Sequence, residues 1–154
     1  MGVLYDYFSA ADDDEAVSVQ GWPAGPGCPP NGVEPKDMID LKGIDPAVML
    51  GTLEALLTGV PYAELVRHPG NTITLTPWED GEEQGVVTIA DEVTAVLAGA
   101  SDDRLREVAG PWSRTEEFWW DEDPADAFQS LQQLRDLAVR TVRRKHHLYC
   151  WWSL

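Results

Sequence analysis

His147-Leu148-Tyr149-Cys150-Trp151-Trp152 is a run of bulky aromatic and apolar residues that suits a pleated surface better than a helix, and it reads as a strand. The segment before it reads as the longest helix. Asp123 can cap that helix and Pro124 sits at its first position. Phe128, Leu131, Leu134, Ala138 and Val142 follow at helical spacing, to point inward, until Arg143, Arg144 and Lys145 meet the negative end of the dipole. At the opposite end of the sequence, Val3-Leu4-Tyr5-Asp6-Tyr7-Phe8 is equally β-favouring. Its alternation sets Leu4, Asp6 and Phe8 on one face and Val3, Tyr5 and Tyr7 on the other. A carboxylate on an otherwise apolar face needs a sheet edge or a specific hydrogen bond, and the edge is the simpler reading for Asp6. The two terminal strands can pair in one sheet.

Between these ends, residues 21–35 hold five prolines and four glycines, a composition that excludes a helix or a central strand and predicts a long loop pinned by Trp22. Asp45 and Pro46 predict a helix start, with Met49, Leu53, Leu56, Leu57 and Val60 on its apolar face and Gly59 at its end. Residues 72–76 alternate as a short strand before Pro77, and Val86, Val87 and Ile89 form a further apolar run. Thr88 with Asp91 resembles a capping box for a helix carrying Val93, Val96 and Leu97. Ser101 caps another, broken at Gly110 and Pro111. The pattern predicts an α+β fold: residues 1–154 as a single domain, a small mixed or antiparallel sheet containing both terminal strands, and about four helices.

Charge narrows the partners. The formal charge is −16 over 154 residues. Acidic and basic residues number 17 and 3 in positions 1–100, 9 and 3 in 101–134, and 1 and 5 in 135–154. Such a surface repels phosphate backbones and anionic lipid heads, so neither nucleic acid nor a membrane is an expected partner. No apolar run approaches the roughly eighteen residues of a membrane span and no leader pattern is present, so the expected location is cytoplasmic. Self-repulsion among carboxylates should make the fold firmer with salt or at mildly acidic pH. Cys28 and Cys150 are too few for a secreted disulfide framework, and a reduced pair is expected.

Four stretches resemble the YfbM-like family of bacterial proteins, the domain of unknown function 1877. They are Met1-Gly2-Val3-Leu4 followed by aromatics; Asp40-Leu41-Lys42 through Leu56-Leu57-Thr58-Gly59; residues 87–105; and the long last helix with its basic turn and apolar terminal strand. The Pro- and Gly-rich loop, Ile44-Asp45-Pro46 and the Cys-Trp-Trp ending depart from that pattern. The resemblance implies an α+β fold and brings no activity, since function resides in sites.

The residues themselves offer little catalytic chemistry. His146 and His147 point to opposite faces of a strand, and His146 and Cys150 would lie about 13 Å apart along it, so no metal or other cofactor is expected. Cys150 sits among aromatics, where burial raises a thiol pKa and makes it inert. No Gly-x-Ser-x-Gly turn and no phosphate-binding glycine pattern occurs. Acid pairs such as Glu116 and Glu117 arise by chance in so acidic a chain. The run Asp12-Asp13-Asp14-Glu15 lacks the spaced ligands of a calcium loop and reads as a solvated helix start or loop.

The remaining signal is aromatic. Trp119 and Trp120 beside Asp121, Glu122 and Asp123 place amphipathic rings next to fixed negative charge, the make-up of a recognition patch for a basic protein. The leading expectation is therefore a non-enzymatic interaction module of the immunity or antitoxin kind. The alternative is a small-molecule binder or enzyme with a pocket between the sheet and the 21–35 loop, lined by Tyr5, Tyr7 and Trp22. Adjacent Trp151 and Trp152 should face opposite surfaces.

Overall fold

Strand β4 (His147–Ser153) lies between β1 (Leu4–Ala10) and β3 (Gln84–Thr88) in the computed structural model, which describes residues 2–65, 73–76, 81–115 and 123–154. A third neighbour, β2 (Met38–Asp40), pairs with the other side of β1 and completes an antiparallel sheet of order β2-β1-β4-β3. The terminal strands thus form the middle of the sheet, in register from Leu4 opposite Ser153 to Ala10 opposite His147. Asp6 is not at an edge, because β1 is paired on both sides and Asp6 stands opposite Trp151 on β4 and Asp40 on β2.

Alternation along the central strands feeds two cores. Tyr7, Val87, Leu148 and Cys150 face a layer built from α2 (Val48–Thr58), α4 (Asp91–Ala98), α5 (Asp102–Ser113) and α6 (Pro124–Arg143). Phe8, Val86, Tyr149 and Trp151 face a smaller layer made by α1 (Asp13–Val17), the 3-10 turn at Ser18–Gly21 and Trp22. Trp151 and Trp152 accordingly pack on opposite faces. Trp152 lies across Gly85, where any Cβ would come within 2.6 Å of the indole. The four-residue helix α3 (Tyr62–Leu65) packs against α2.

Helix α6 buries Ala127, Leu131, Leu134, Leu137, Ala138 and Thr141, an i, i+3, i+4 stripe. Val142, expected to point inward, lies off the stripe and is exposed. Asp123 caps the helix by accepting from Ala125 N–H, and Pro124 occupies the first position. The helix ends in a Schellman turn: His146 N–H donates to Thr141 C=O, Lys145 N–H donates to Val142 C=O, and Lys145 holds φ +55°. That turn aims the chain directly into β4.

Several local expectations need correction. Helix α2 starts at Val48 rather than at Pro46, but Asp45 still caps the turn, accepting from Ala47 and Val48 N–H. Gly59 ends it in the left-handed conformation, as expected. Thr88 does not cap α4: it ends β3, and its hydroxyl accepts from Ile73 N–H. Of the strand expected at 72–76, residue 72 lies outside the described residues, and residues 73–76 make an isolated bridge, Thr74 to Val87, in place of a strand. Helix α5 runs through Gly110 and Pro111 to Ser113. Trp112 explains this, since its fully buried indole donates to Met49 C=O at 3.0 Å and holds the last turn against α2.

The 21–35 loop carries no helix or strand, as its composition demands, and Trp22 pins it to the second core. Gly25 adds a second anchor. It holds φ +79°, and a Cβ there would come within 2.9 Å of the Trp151 ring. The substitution Gly25→Ala is expected to cost about 1 to 3 kcal/mol, combining backbone strain with the clash. Lys145→Gly should do the reverse, adding about 1 kcal/mol by relieving the left-handed lysine. Denaturant unfolding of both variants checks the two signs; an unchanged Gly25→Ala midpoint would show the loop is not seated on Trp151.

Candidate interaction site

Among the described residues, carboxylates line two surface clefts. The larger, about 520 Å³, lies where the start of β4 meets the amino-terminal ends of α1 and α4, and its lining includes Asp12, Asp13, Asp14, Asp91, His147 and Tyr149. Asp12 caps α1, accepting from Glu15 N–H at 2.9 Å, while Glu15 reaches back to Ala11 N–H. Asp13, Asp14 and Glu15 then fill the first turn, where the helix dipole favours negative charge. The Tyr149 hydroxyl donates to Asp13 at 2.8 Å, and burial together with that carboxylate pushes its pKa up. His147 meets Asp91 at 2.8 Å on the opposite wall.

The second cleft, about 410 Å³, lies between the sheet and the 21–35 loop. Trp151, Leu4, Asp6, Asp40 and Ser153 come from the strands, Pro23 and Ala24 from the loop, and Glu83 and Gln84 from the approach to β3. The Trp151 indole is fixed by donating to the Gln84 side chain at 3.0 Å. Asp6 and Asp40 are direct cross-strand partners. Ser9 N–H donates to Asp37 C=O and Leu41 N–H to Tyr5 C=O, so the bonded pairs fall on odd-numbered residues of β1. Asp6 and Asp40 are therefore a non-hydrogen-bonded pair, the arrangement that brings opposite side chains closest. Partial burial, then the charge of Asp40, raises the Asp6 carboxyl to about 6.

Six cationic side chains are tied elsewhere. Arg140 grips Asp37 with two nitrogens at 2.7 and 3.0 Å, and Arg144 adds a third bond at 2.7 Å, fastening α6 to the residue before β2. Hydrogen bonds from Arg140, then Arg144, hold Asp37 below the usual carboxylate range. Arg104 donates to Leu56 and Leu57 C=O at the end of α2, and Arg135 donates to Ala100 C=O and Asp102. Lys36 pairs with Glu15 and stands 5.7 Å from the Trp22 ring. Arg106 pairs with Asp103.

The residues singled out in the sequence fare differently. Trp119, Trp120, Asp121 and Glu122 lie outside the described residues, and Asp123 is the exposed cap of α6. Tyr5 and Tyr7 do not share a pocket with Trp22, because they face the helices and Trp22 packs on the other side of the sheet. The Tyr7 hydroxyl donates to Ile44 C=O at 2.6 Å, and Tyr5 donates to Asp45 at 3.4 Å. Burial, followed by Asp45, pushes Tyr5 up to about 12. Cys150 is sealed in the same core with its thiol pushed up by burial, while Cys28 is exposed and both are free. His146 approaches Ser9 and His147 approaches Asp91, so neither converges on Cys150. Among the described residues no three potential ligand groups gather for a metal, and no helix is long and apolar enough to cross a membrane.

The expected pocket between the sheet and the 21–35 loop is present with a different lining, whereas the cleft at Asp12–Asp14 was missed as an assembly. Asp6 was conspicuous on its apolar strand, but its partner depends on β2, whose three residues carry no strand signature. Asp12–Asp14 stood out as a run, but Asp91 and Tyr149 join it only through the fold. No family model, no curated protein and no solved structure matches the chain.

Asp6 gives this surface a pH signature. With its folded pKa about 6 and the unfolded value about 4, the folded state binds the extra proton between them, so stability falls as pH rises through that window. Asp37 and Glu15, both lowered, act oppositely: their contribution is present above the ordinary carboxylate range and lost as pH drops below it. Asp6→Asn should flatten the decline between about pH 4 and 6 and raise stability at neutral pH by about 1 kcal/mol after solvent screening, or about 3 °C in Tm. Thermal melts across that range check it, and a variant curve parallel to the parent would overturn the assignment.

Proposed function

We propose that the protein is a non-enzymatic acidic interaction module of the cytoplasm that binds, and thereby neutralises, a basic protein in the manner of an immunity or antitoxin protein. The observation that supports this most is the division of charge. Six of its cationic side chains, Lys36, Arg104, Arg106, Arg135, Arg140 and Arg144, pair with carboxylates of the same chain. Both clefts are lined by acids: Asp12, Asp13, Asp14 and Asp91 in one, Asp6, Asp40 and Glu83 in the other. A negative field concentrated in concave surfaces speeds encounter with a positive partner and rejects nucleic acid and anionic lipid. The strongly shifted tyrosines and the thiol of the helix-side core serve packing, and Cys150 there is a poor nucleophile. The YfbM-like resemblance of the sequence is part of the same proposal and adds no activity to it.

A second reading keeps the cleft between the sheet and the loop as a small-molecule pocket. Asp6, raised to about 6 inside a 410 Å³ space, favours it, and the ligand would then be a small cation.

Native mass spectrometry of untagged protein recovered from its source cells separates the two. The expected result is a protein-sized adduct that dissociates as salt rises from about 50 to about 500 mM, with affinity lowered at least about tenfold by Asp14→Lys together with Asp40→Lys. An adduct indifferent to salt would overturn the electrostatic mechanism, and one of small mass alone would replace it with the ligand reading.

A further inference from the structure

The two edges of the sheet are finished differently. Residues 73–76 cover the outer side of β3: Leu75 N–H donates to Val86 C=O, Thr88 N–H to Ile73 C=O, and Val86 N–H to the Thr76 hydroxyl. On β2 the odd-numbered residues turn their backbone groups toward β1, as the bonds from Ser9 to Asp37 C=O and from Leu41 to Tyr5 C=O show. Strand alternation then turns the N–H and C=O groups of Met38 and Asp40 outward. No strand among the described residues lies beyond them. A row of outward donors and acceptors is a template for another chain.

The chemistry beside that edge selects the chain. Residues directly opposite on neighbouring strands project to the same face, so Asp6 and Asp40 both enter the cleft that also holds Glu83. A residue laid opposite Asp40 on an added strand would project there too. Its Cα would stand about 10 Å from that of Asp6, two strand spacings away. A lysine or arginine stem spans much of that distance, and its charge would relieve the like-charge pair. An acidic or apolar residue in that place would worsen the repulsion or strand the carboxylates.

We propose that the outer edge of β2 accepts an extended basic segment of the partner by strand addition, with a lysine or arginine opposite Asp40 entering the cleft formed with Asp6 and Glu83. This rests on the reading of the protein as a binder of a basic partner and names where that partner docks. Main-chain hydrogen bonds to Met38 and Asp40 supply the alignment and the acidic cleft supplies the selection. With so short an edge, charge must carry much of the discrimination.

The test uses the whole protein with three synthetic peptides: Thr-Val-Lys-Val-Arg-Val-Thr, its counterpart with glutamate at both basic positions, and a version of the basic peptide N-methylated at alternate amides. Residue-resolved amide exchange by NMR is the readout. The basic peptide should slow exchange at Met38 and Asp40 at least about tenfold, N-methylation should remove that protection, and the acidic peptide should give none. Asp40→Asn should weaken binding about three- to tenfold while the free protein keeps its amide spectrum outside β2. Binding of the basic peptide with unchanged exchange at Met38 and Asp40 would overturn the edge assignment, as would equal protection by the N-methylated peptide. Either result leaves the basic-partner reading intact if the salt-sensitive protein adduct forms, whereas loss of that adduct removes the reading on which the edge assignment rests.

Discussion

The pairing of β4 between β1 and β3 is the constraint on which the rest of the molecule depends. It joins the two ends of the described chain in a seven-residue antiparallel ladder and gives each core two of its buried sheet residues. Leu148 and Cys150 close the core under the helices, and Tyr149 and Trp151 close the other. A shift of one residue would exchange these sets and drive the Tyr149 and Trp151 rings into the helix layer. The register is guarded from both sides. The Schellman turn after α6 fixes where β4 begins, and Gly85 fixes where the Trp152 ring can lie.

Asp37 performs the equivalent task for β2. Three residues cannot hold a strand in place by pairing alone, but two arginines of α6 clamp the carboxylate immediately before it. Because Asp37 is partly buried and bidentate to Arg140, this pair is worth more than a fully exposed single-contact ion pair. The basic end of α6 therefore has two structural uses, meeting the helix dipole and fastening the acidic strand beside β1. Charge that looked segregated in the sequence is locally cross-linked in the fold, and the surplus that remains is acidic.

What could be read in advance follows the range of each interaction. The terminal strands, α2, α6 and the loop were legible because periodicity, caps and proline are local signals, and they led to the α+β sheet with both ends inside it. Where a distant contact overrides a local rule, sequence reasoning failed. Trp112 carries α5 through Gly110 and Pro111 by bonding Met49, 63 residues away. Thr88 spends its hydroxyl on Ile73 instead of capping α4. Alternation alone points Asp6 to a sheet edge, because the three residues of β2 carry no strand pattern and are held in place by Asp37 and the arginines of α6. The candidate site was legible as net charge and as a space between the sheet and the 21–35 loop, but not in its lining: the acidic run at 12–14 was visible, and its assembly with Asp91 and Tyr149 was not. Tyr5 and Tyr7 were separated from Trp22 by the strand alternation that had already placed them on the face opposite Phe8.

The Asp6 and Asp40 pair is the point at which local consistency breaks, and that is where function is best sought. Asn at either position would keep the shape and remove the repulsion, so the fold gains nothing from two acids there. Elsewhere the same sheet avoids such conflicts, with Tyr7 opposite Ile39, Phe8 opposite Met38 and Val87 opposite Cys150. A carboxylate pair with Asp6 directly opposite a tryptophan, beside an outward-facing strand edge, is poorly suited to the free protein and well suited to one occupied by a cation. The repulsion stored in the free state is released on binding, so part of the partner's affinity would come from strain the fold already carries.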